Sequence, residues 1–269
     1  LEEVKSEIEQ RNIVIQLGVI AVGKDPSVEL YIRNKKRAAE FCGIKIREIY
    51  LDNNCKQSDI EREIENMNND EKIDGFIVQL PLPQHIDKEK VLSLIDKKKD
   101  VDCLHPENLG RVLKGKGNPL FVPCAAIAMM DILKEYKVSV FGKDAVVVGA
   151  SDIVGKPCAA LLLQKSATVT ICHIHTKNIE EHIKRADILV SAVGKPHIIK
   201  GEWIKKDAVV IDIGTSVKDG KVTGDVEFER AKERASIITP VPGGVGAITV
   251  AELIRNTLKS FRLKEAKQN

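Results

Sequence analysis

What the 269-residue sequence lacks narrows its class quickly. It has no Cys-x-x-Cys pair, and its six cysteines, Cys42, Cys55, Cys103, Cys124, Cys158 and Cys172, are scattered, four of them in apolar or strand-like segments. That spacing argues against a disulfide framework and predicts reduced, small core residues of a cytoplasmic protein. No grouping of His, Cys and carboxylates has metal-ligand spacing, so no metal is expected. No apolar run reaches the roughly 20 residues that cross a bilayer and no secretory leader pattern is present, so no membrane association is expected. An excess of one charge sign is missing too. The 42 Lys and Arg against 39 Asp and Glu leave a formal charge of +3, which gives no footprint for nucleic acid. Basic runs such as Lys97-Lys98-Lys99 read as solvated. The chain opens in a helical pattern, LEEVKSEIEQ, with neither methionine nor a capping residue, so a short preceding segment is expected.

What is present is an ordinary globular composition, 43% apolar, in a chain long enough for one large or two ordinary domains. Strand-like runs at 13–23, 44–51 and 75–80 alternate with helical patterns at 27–42, 58–68 and 88–95. A second series, DAVVVGA, ATVTICH, DILVSAV and DAVVIDIG, begins near residue 143, without internal repeats or low-complexity tracts. Strand, helix, strand alternation predicts parallel sheets, hence an α/β protein of two domains. They join around FVPCAAIAMMDILKEY, where Pro123 is expected near the start of a connecting helix. Two such domains leave a cleft, the default binding site.

In the first series, Val28, Tyr31, Lys35, Ala38 and Cys42 recur at the three-or-four spacing of one helix face. A lysine held on an apolar face is partly desolvated, which favours the neutral amine and suits a general base. Lys35 also fits a solvated run with Lys36 and Arg37, its stem snorkelling past Tyr31, and the segment alone leaves both readings open. Gln79 ends an apolar strand just before Pro81 and Pro83, at the carboxyl edge where open parallel sheets bind ligands. Its amide can orient a nearby amine or simply cap the turn. Asp102, between apolar neighbours in a loop, can accept two hydrogen bonds from an amidine-like ring edge.

In the second series, Gly149 and Gly155 bracket a strand-to-helix turn whose amides could cradle an anion, although a purely structural turn fits equally well. The next strand ends in Cys172-His173-Ile174-His175-Thr176-Lys177, with no carboxylate for ribose hydroxyls. Imidazoles and an ammonium there would tolerate a 2′-phosphate, which points to NADP. His173 and His175 could also merely alternate across a strand end.

Together these segments resemble the bifunctional methylenetetrahydrofolate dehydrogenase/methenyltetrahydrofolate cyclohydrolase family over essentially the whole chain. The strongest motifs are Tyr31-Ile-Arg-Asn-Lys35, Asp74-Gly-Phe-Ile-Val-Gln-Leu-Pro-Leu-Pro83, Lys99-Asp-Val-Asp102, Val148-Gly-Ala-Ser-Asp-Ile-Val-Gly-Lys-Pro157 and Thr239-Pro-Val-Pro-Gly-Gly-Val-Gly246. The resemblance implies oxidation of 5,10-methylenetetrahydrofolate by NADP, with NAD possible, then hydrolysis of the 5,10-methenyl product to 10-formyltetrahydrofolate in one-carbon metabolism and purine biosynthesis. It implies a folate-binding catalytic domain at 1–122, a Rossmann-like NADP-binding domain at 123–247, and a C-terminal helix, 248–269, packing back onto the first. A cytoplasmic homodimer formed through the cofactor domain is implied as well.

By the same resemblance Lys35 is the acid/base of the hydrolysis, Gln79 holds it, Tyr31 packs against the folate, and Asp102 grips its pterin edge. Leu80, Pro242 and Gly243 join the substrate site, the glycines of 243–246 letting backbone approach closely. Gly149, Ala150, Ser151, Val154, Gly155, His173 and Ile174 line the cofactor, with Thr215 near the nicotinamide. Several positions depart from the family pattern. Val28 stands where serine is common, Cys103 where glycine is, and Ala125-Ala126 where Thr-Pro is. Ala150 replaces an arginine, Ile174 a serine, Ser216 an asparagine and Ala247 a proline. Loss of the arginine and serine removes two customary 2′-phosphate contacts. A shikimate-dehydrogenase-type enzyme would share the cofactor half but not the Lys35 and Gln79 motifs, and a non-catalytic homologue would not need them.

Overall fold

The computed structural model describes residues 1–23, 26–115, 119–218 and 220–266, with backbone alone at 26–28 and 30. The chain divides into two compact units, one of residues 1–110, 119–122 and 250–266, the other of residues 111–115 and 123–249.

The first unit contains α1 (Glu2–Arg11), β1 (Gln16–Val22), α2 (Pro26–Phe41), β2 (Lys45–Leu51), α3 (Gln57–Asn69), β3 (Gly75–Val78) and α4 (Lys88–Ser93). It also holds the first half of α5 (Pro106–Lys114). Its parallel sheet has the order β2-β1-β3. The central β1 is buried from Leu17 to Val22, as befits a strand covered on both faces, and this is why it reads as an unbroken apolar run. The expected strand from 13 starts later, at Gln16. Asn12 ends α1 in the left-handed region at φ 48°, and contact with the sheet begins only where the Ile15 carbonyl accepts from the Lys45 N–H of β2 at 2.9 Å, followed by the Gln16 N–H donating to Asp74 Oδ2 at 2.9 Å. The strand expected to run to 80 stops at Val78, although the Gln79 N–H still donates to the Ile20 carbonyl at 2.8 Å.

Lys99 corrects the reading of its basic run as solvated. Its ammonium donates to the carbonyls of Met67, Asn68 and Asp70 at 2.9, 2.8 and 2.8 Å, closing the end of α3, where helical carbonyls lack partners. Burial pulls its pKa below the usual lysine range. Lys97, beside it, pairs with Glu107 at 2.7 Å. The far end of the chain completes this unit through α10 (Val245–Glu265). From residue 250 onward α10 buries Leu253, Ile254, Leu258 and Phe261. Ser260 donates to the Asp74 and Lys98 carbonyls, and Asn256 donates to the Val101 carbonyl at 2.8 Å.

The second unit holds α6 (Cys124–Glu135), β4 (Asp144–Val148), α7 (Gly155–Gln164), β5 (Thr168–Cys172), α8 (Ile179–Arg185), β6 (Ile188–Ser191) and β7 (Val209–Asp212). After these come a short hairpin of β8 (Ser216–Lys218) and β9 (Lys221–Thr223), α9 (Phe228–Ala231) and β10 (Ile237–Ile238). Five parallel strands pair in the order β10-β7-β6-β4-β5. α6 follows directly on Pro123, as expected. One core lies between α6, α7 and the sheet, around Met129, Leu133, Val147 and Leu162. The other lies on the opposite face, around Val146, Ile183, Leu189 and Val210. β4 sits between β5 and β6, so the loops leaving β4 diverge from those leaving β6 at this point of the sheet, the switch point where such folds take ligands. Five of the six cysteines are buried and Cys55 is half-buried, and none of the six is in a disulfide.

Replacing Lys99 with Met would leave the Met67 and Asn68 carbonyls at the end of α3 without this donor, while the Asp70 carbonyl still accepts from the Ile73 N–H. Unsatisfied buried acceptors cost about 1 to 3 kcal/mol, so Lys99→Met should lower the unfolding free energy by about that amount in urea titrations. An unchanged midpoint would show that water satisfies those carbonyls equally well.

Candidate active site

In the first unit, Lys35 Nζ donates to Gln79 Oε1 at 2.9 Å, and Gln79 Nε2 donates to the Leu80 carbonyl at 2.8 Å. The second bond decides the first, because with its NH2 committed to Leu80 the amide presents its oxygen to the lysine. The backbone is equally constrained, since the Gln79 N–H is tied to β1. Gln79 is 9% exposed and Lys35 half-buried. The buried stripe of α2 runs through Ile32, Ala39 and Cys42, and Lys35 falls on it at three and four residues from its neighbours. Tyr31 and Ala38, expected on that stripe, flank it instead, because the helix turns its inner face one residue further along. Tyr31 lies one turn before Lys35, with 37% of its surface exposed.

Asp102 is half-buried and its carboxylate accepts no hydrogen bond among the described residues. It follows Asp100, which bridges to Phe76 of β3 in parallel, so Gln79 and Asp102 both lie past the carboxyl side of that pairing. Sequence reasoning missed Asp100. Only 1% exposed, its carboxylate accepts from the Leu104 and His105 N–H groups, each at 2.9 Å, and from Asn108 Nδ2 at 2.8 Å. Burial pushes its carboxyl pKa upward against those bonds. The signal available was Asp100 itself, four residues before Leu104, in the pattern of a carboxylate closing its own turn.

In the second unit the turn after β4 is tight. A Cβ at Gly149, φ 121°, would lie 2.3 Å from the Ala192 carbonyl oxygen, and one at Gly155 would lie 2.0 Å from the Gly149 oxygen. Only glycine permits this approach of helix to strand. Ser151 Oγ accepts from the N–H groups of Val154 and Gly155 at 3.2 and 3.3 Å. Two of the amides expected to be free for an anion are therefore held by Ser151, whose hydroxyl hydrogen is left to point elsewhere.

After β5 the chain closes a turn in which the Thr176 N–H donates to the His173 carbonyl and the His173 N–H to Thr176 Oγ1, at 2.9 and 2.8 Å. The His175 N–H donates to His173 Nδ1 at 3.2 Å, and the two imidazoles meet edge to face at 6.0 Å. Ile174 is 83% exposed. Thr215 is exposed beyond β7, while Pro242, after a cis bond, and Gly243, at φ 102° with open space around it, lead into α10.

Comparison with known proteins accounts for both halves. Residues 1–102 match the model of the tetrahydrofolate dehydrogenase/cyclohydrolase catalytic domain, and residues 123–265 match that of the NAD(P)-binding domain of the same enzymes. The chain belongs to the tetrahydrofolate dehydrogenase/cyclohydrolase family. It is 50% identical to the bifunctional protein FolD of Acetivibrio thermocellus over 98% of this chain and 93% of that one. The methylenetetrahydrofolate dehydrogenase-cyclohydrolase of Trypanosoma brucei, solved with NADP and an inhibitor, superposes with a TM-score of 0.94 at 41% identity, covering 98% and 93% of the two chains. A shikimate 5-dehydrogenase of Thermus thermophilus shares the fold alone, with a TM-score of 0.58 at 16% identity. The chain is thus a methylenetetrahydrofolate dehydrogenase and methenyltetrahydrofolate cyclohydrolase.

The departures from the family pattern can now be located. Cys103 stands at φ 60°, the region that favours the family's glycine, with its Sγ donating to the Phe121 carbonyl at 3.3 Å. Burial pushes its thiol pKa far up, with Asp100 and Asp102 adding to the effect. Ala126 is fully buried in the first turn of α6. Ser216 Oγ is buried without a hydrogen-bond partner among the described residues. The Ala247 N–H donates to the Gly244 carbonyl at 3.3 Å, a bond that proline would forfeit. The side chain of Val28 lies outside the described residues.

Asp212, at the end of β7, accepts from the Asp225 and Val226 N–H groups at 3.2 and 2.9 Å. Burial, aided by the Asp225 charge, pushes its carboxyl up from 3.8 to about 7. A folded-state pKa raised in this way contributes stability below pH 4 that is lost as pH rises to about 7. The loss amounts to at most about 4 kcal/mol. The difference in unfolding free energy between the parent and Asp212→Asn should therefore change steadily across that range, to the parent's disadvantage at higher pH. A difference that stays constant with pH would show that Asp212 titrates normally.

Proposed function

We propose that Lys35 is the acid/base of the cyclohydrolase step and that Gln79 positions it, with the 2.9 Å bond between them carrying the assignment. Hydrolysis of the methenyl bridge adds water to the carbon between two nitrogens. A base takes one proton from that water, and the ring nitrogen that leaves the carbon must gain one. A single amine near the bridge can do both in turn, ending as it began. Asp102 suits the role of grip on the pterin edge because its carboxylate is uncommitted among the described residues. Tyr31 offers an exposed ring on α2 one turn before Lys35, beside the stripe on which Lys35 lies, and Leu80, whose carbonyl holds the Gln79 amide, is the next substrate contact.

NADP is the cofactor, as in the Trypanosoma enzyme, and when bound it supplies the hydride acceptor for the methylene group. The tight turn of Gly149, Ala150, Ser151, Val154 and Gly155 fits its phosphates. Ser151 Oγ has its acceptor positions engaged by two amides, so its proton is available to a phosphate oxygen. His173 and Ile174 meet the adenosine ribose, and Thr215 the nicotinamide. We also infer a substrate domain of residues 1–122 with the helix from 248, a cofactor domain of 123–247, and a cytoplasmic homodimer supplying formyl groups to purine biosynthesis. β5 supports the dimer as an edge strand with Ile171 41% exposed, the kind of edge a second copy can pair with.

Lys35→Met keeps a long, helix-compatible side chain. Hydrolysis of methenyltetrahydrofolate should fall roughly 100-fold or more, with NADP affinity and melting temperature close to the parent's. A folded variant that hydrolyses at the parental rate would remove Lys35 from the mechanism. Ala150→Arg should restore a charge-assisted bond, about 1.5 to 3 kcal/mol, and so raise NADP affinity roughly 10-fold or more while leaving NAD affinity unchanged. Equal gains for both cofactors in parallel titrations would place residue 150 away from the 2′-phosphate.

A further inference from the structure

Beneath the loops that leave β6 and β7 lies a pair of carboxylates that neither reaction uses. Asp225 and Asp212 are 0% and 3% exposed. Asp225 Oδ2 accepts from Ser191 Oγ and from the Val193 N–H, both at 2.7 Å, and Oδ1 accepts from the Lys195 N–H at 2.8 Å. Neither carboxylate forms an ion pair among the described residues. Burying a carboxylate without a cation is costly, and backbone N–H groups are what make it tolerable here.

The place of these bonds matters more than their number. The parallel ladder already joins β6 to β7 as far as Ser191 and Asp212. Asp225 adds nothing to that ladder and instead fixes the chain just beyond it, at 193 and 195. Ala192 lies between those fixed points and Ser191, and its carbonyl is the atom against which Gly149 is seated. Glycines accommodate the carboxylates from the other side. A Cβ at Gly214 would lie 2.0 Å from the Asp225 carboxyl carbon, and one at Gly224 would lie 2.1 Å from Asp212 Oδ2. The loops are thus interlocked around two acids, and the lock reaches the turn after β4 through one carbonyl.

We propose that Asp225 is a positioning residue for the dinucleotide, holding Ser191–Lys195 in the shape on which the Gly149–Gly155 turn rests. The proposal builds on the reading that this turn takes NADP. Asp225→Asn would set an NH2 group against a backbone N–H, breaking at least one of the three bonds. The NADP dissociation constant measured by calorimetry should rise tenfold or more. Hydrolysis of methenyltetrahydrofolate, which consumes no cofactor, should stay within twofold of the parent. Ser191→Ala deletes one bond only and should raise the NADP dissociation constant about threefold; it decides the matter if Asp225→Asn does not fold. Folded variants that bind NADP within a factor of 1.5 of the parent would overturn the proposal. So would a parallel fall in both properties, which would make Asp225 a general structural residue. A parent that binds no dinucleotide would instead sink the cofactor reading, and this proposal with it.

Discussion

A parallel strand cannot hand its chain to the neighbouring strand by a tight hairpin, so every crossover leaves from one edge of the sheet and returns at the other. That constraint gathers the chemistry of each unit. In the first, β1 leads into the helix that carries Lys35, and β3 is followed directly by Gln79, whose N–H is registered to Ile20 of β1. The lysine and the amide meet because their elements leave the same edge. In the second, Gly149, His173, Ala192 and Gly214 each follow the carboxyl end of a strand. The fold supplies the edge, and a few buried groups give the loops on it their shape.

The amide at position 79 suits the chemistry assigned to Lys35 better than an acid would. An acid/base must pass between charged and neutral states within one turnover. A carboxylate partner would bind the charged state and oppose the return, whereas an amide oxygen orients the amine without pairing a charge with it. The orientation is rigid because Gln79 is held at its backbone by β1 and at its NH2 by Leu80. An amide merely capping a turn would need only the second of these bonds.

Much of this was legible in the sequence because parallel strands buried on both faces are written as continuous apolar runs, as β1, β3, β4, β6 and β7 are. Gln79 was legible from the prolines that end its strand, and Lys35 from its spacing with Cys42. Other features had no local signature. Lys99 looks like any lysine in a basic run, since the carbonyls it satisfies lie about thirty residues earlier in the chain. Asp225 bonds to residues 30 to 34 positions away, and no spacing rule links them. The β8–β9 hairpin escaped because its strands are three residues each and bear lysines. The helix face was read one residue off because Tyr31 and Ala38 satisfy the same spacing as Ile32 and Ala39, and only packing tells them apart.

Both units fix their loops with a buried carboxylate that binds backbone N–H groups, Asp100 in the first and Asp225 in the second. This bears on the positions that depart from the family pattern. A loop shaped by its lining side chains would change course when those are replaced. A loop shaped from beneath keeps its course, and its lining can vary. Cys103 occupies a left-handed position normally given to glycine, which costs about 1 to 2 kcal/mol, yet Asp100 holds Leu104 and His105 immediately after it. Ser216 leaves its hydroxyl without a partner among the described residues, yet the chain around it is anchored by Asp212 and Asp225 through residues on either side. The same reasoning applies to the substitutions at Ala150 and Ile174. Their backbone is set by Gly149, by Ser151 and by the turn that Thr176 closes, so their side chains can change without moving the chain on either side.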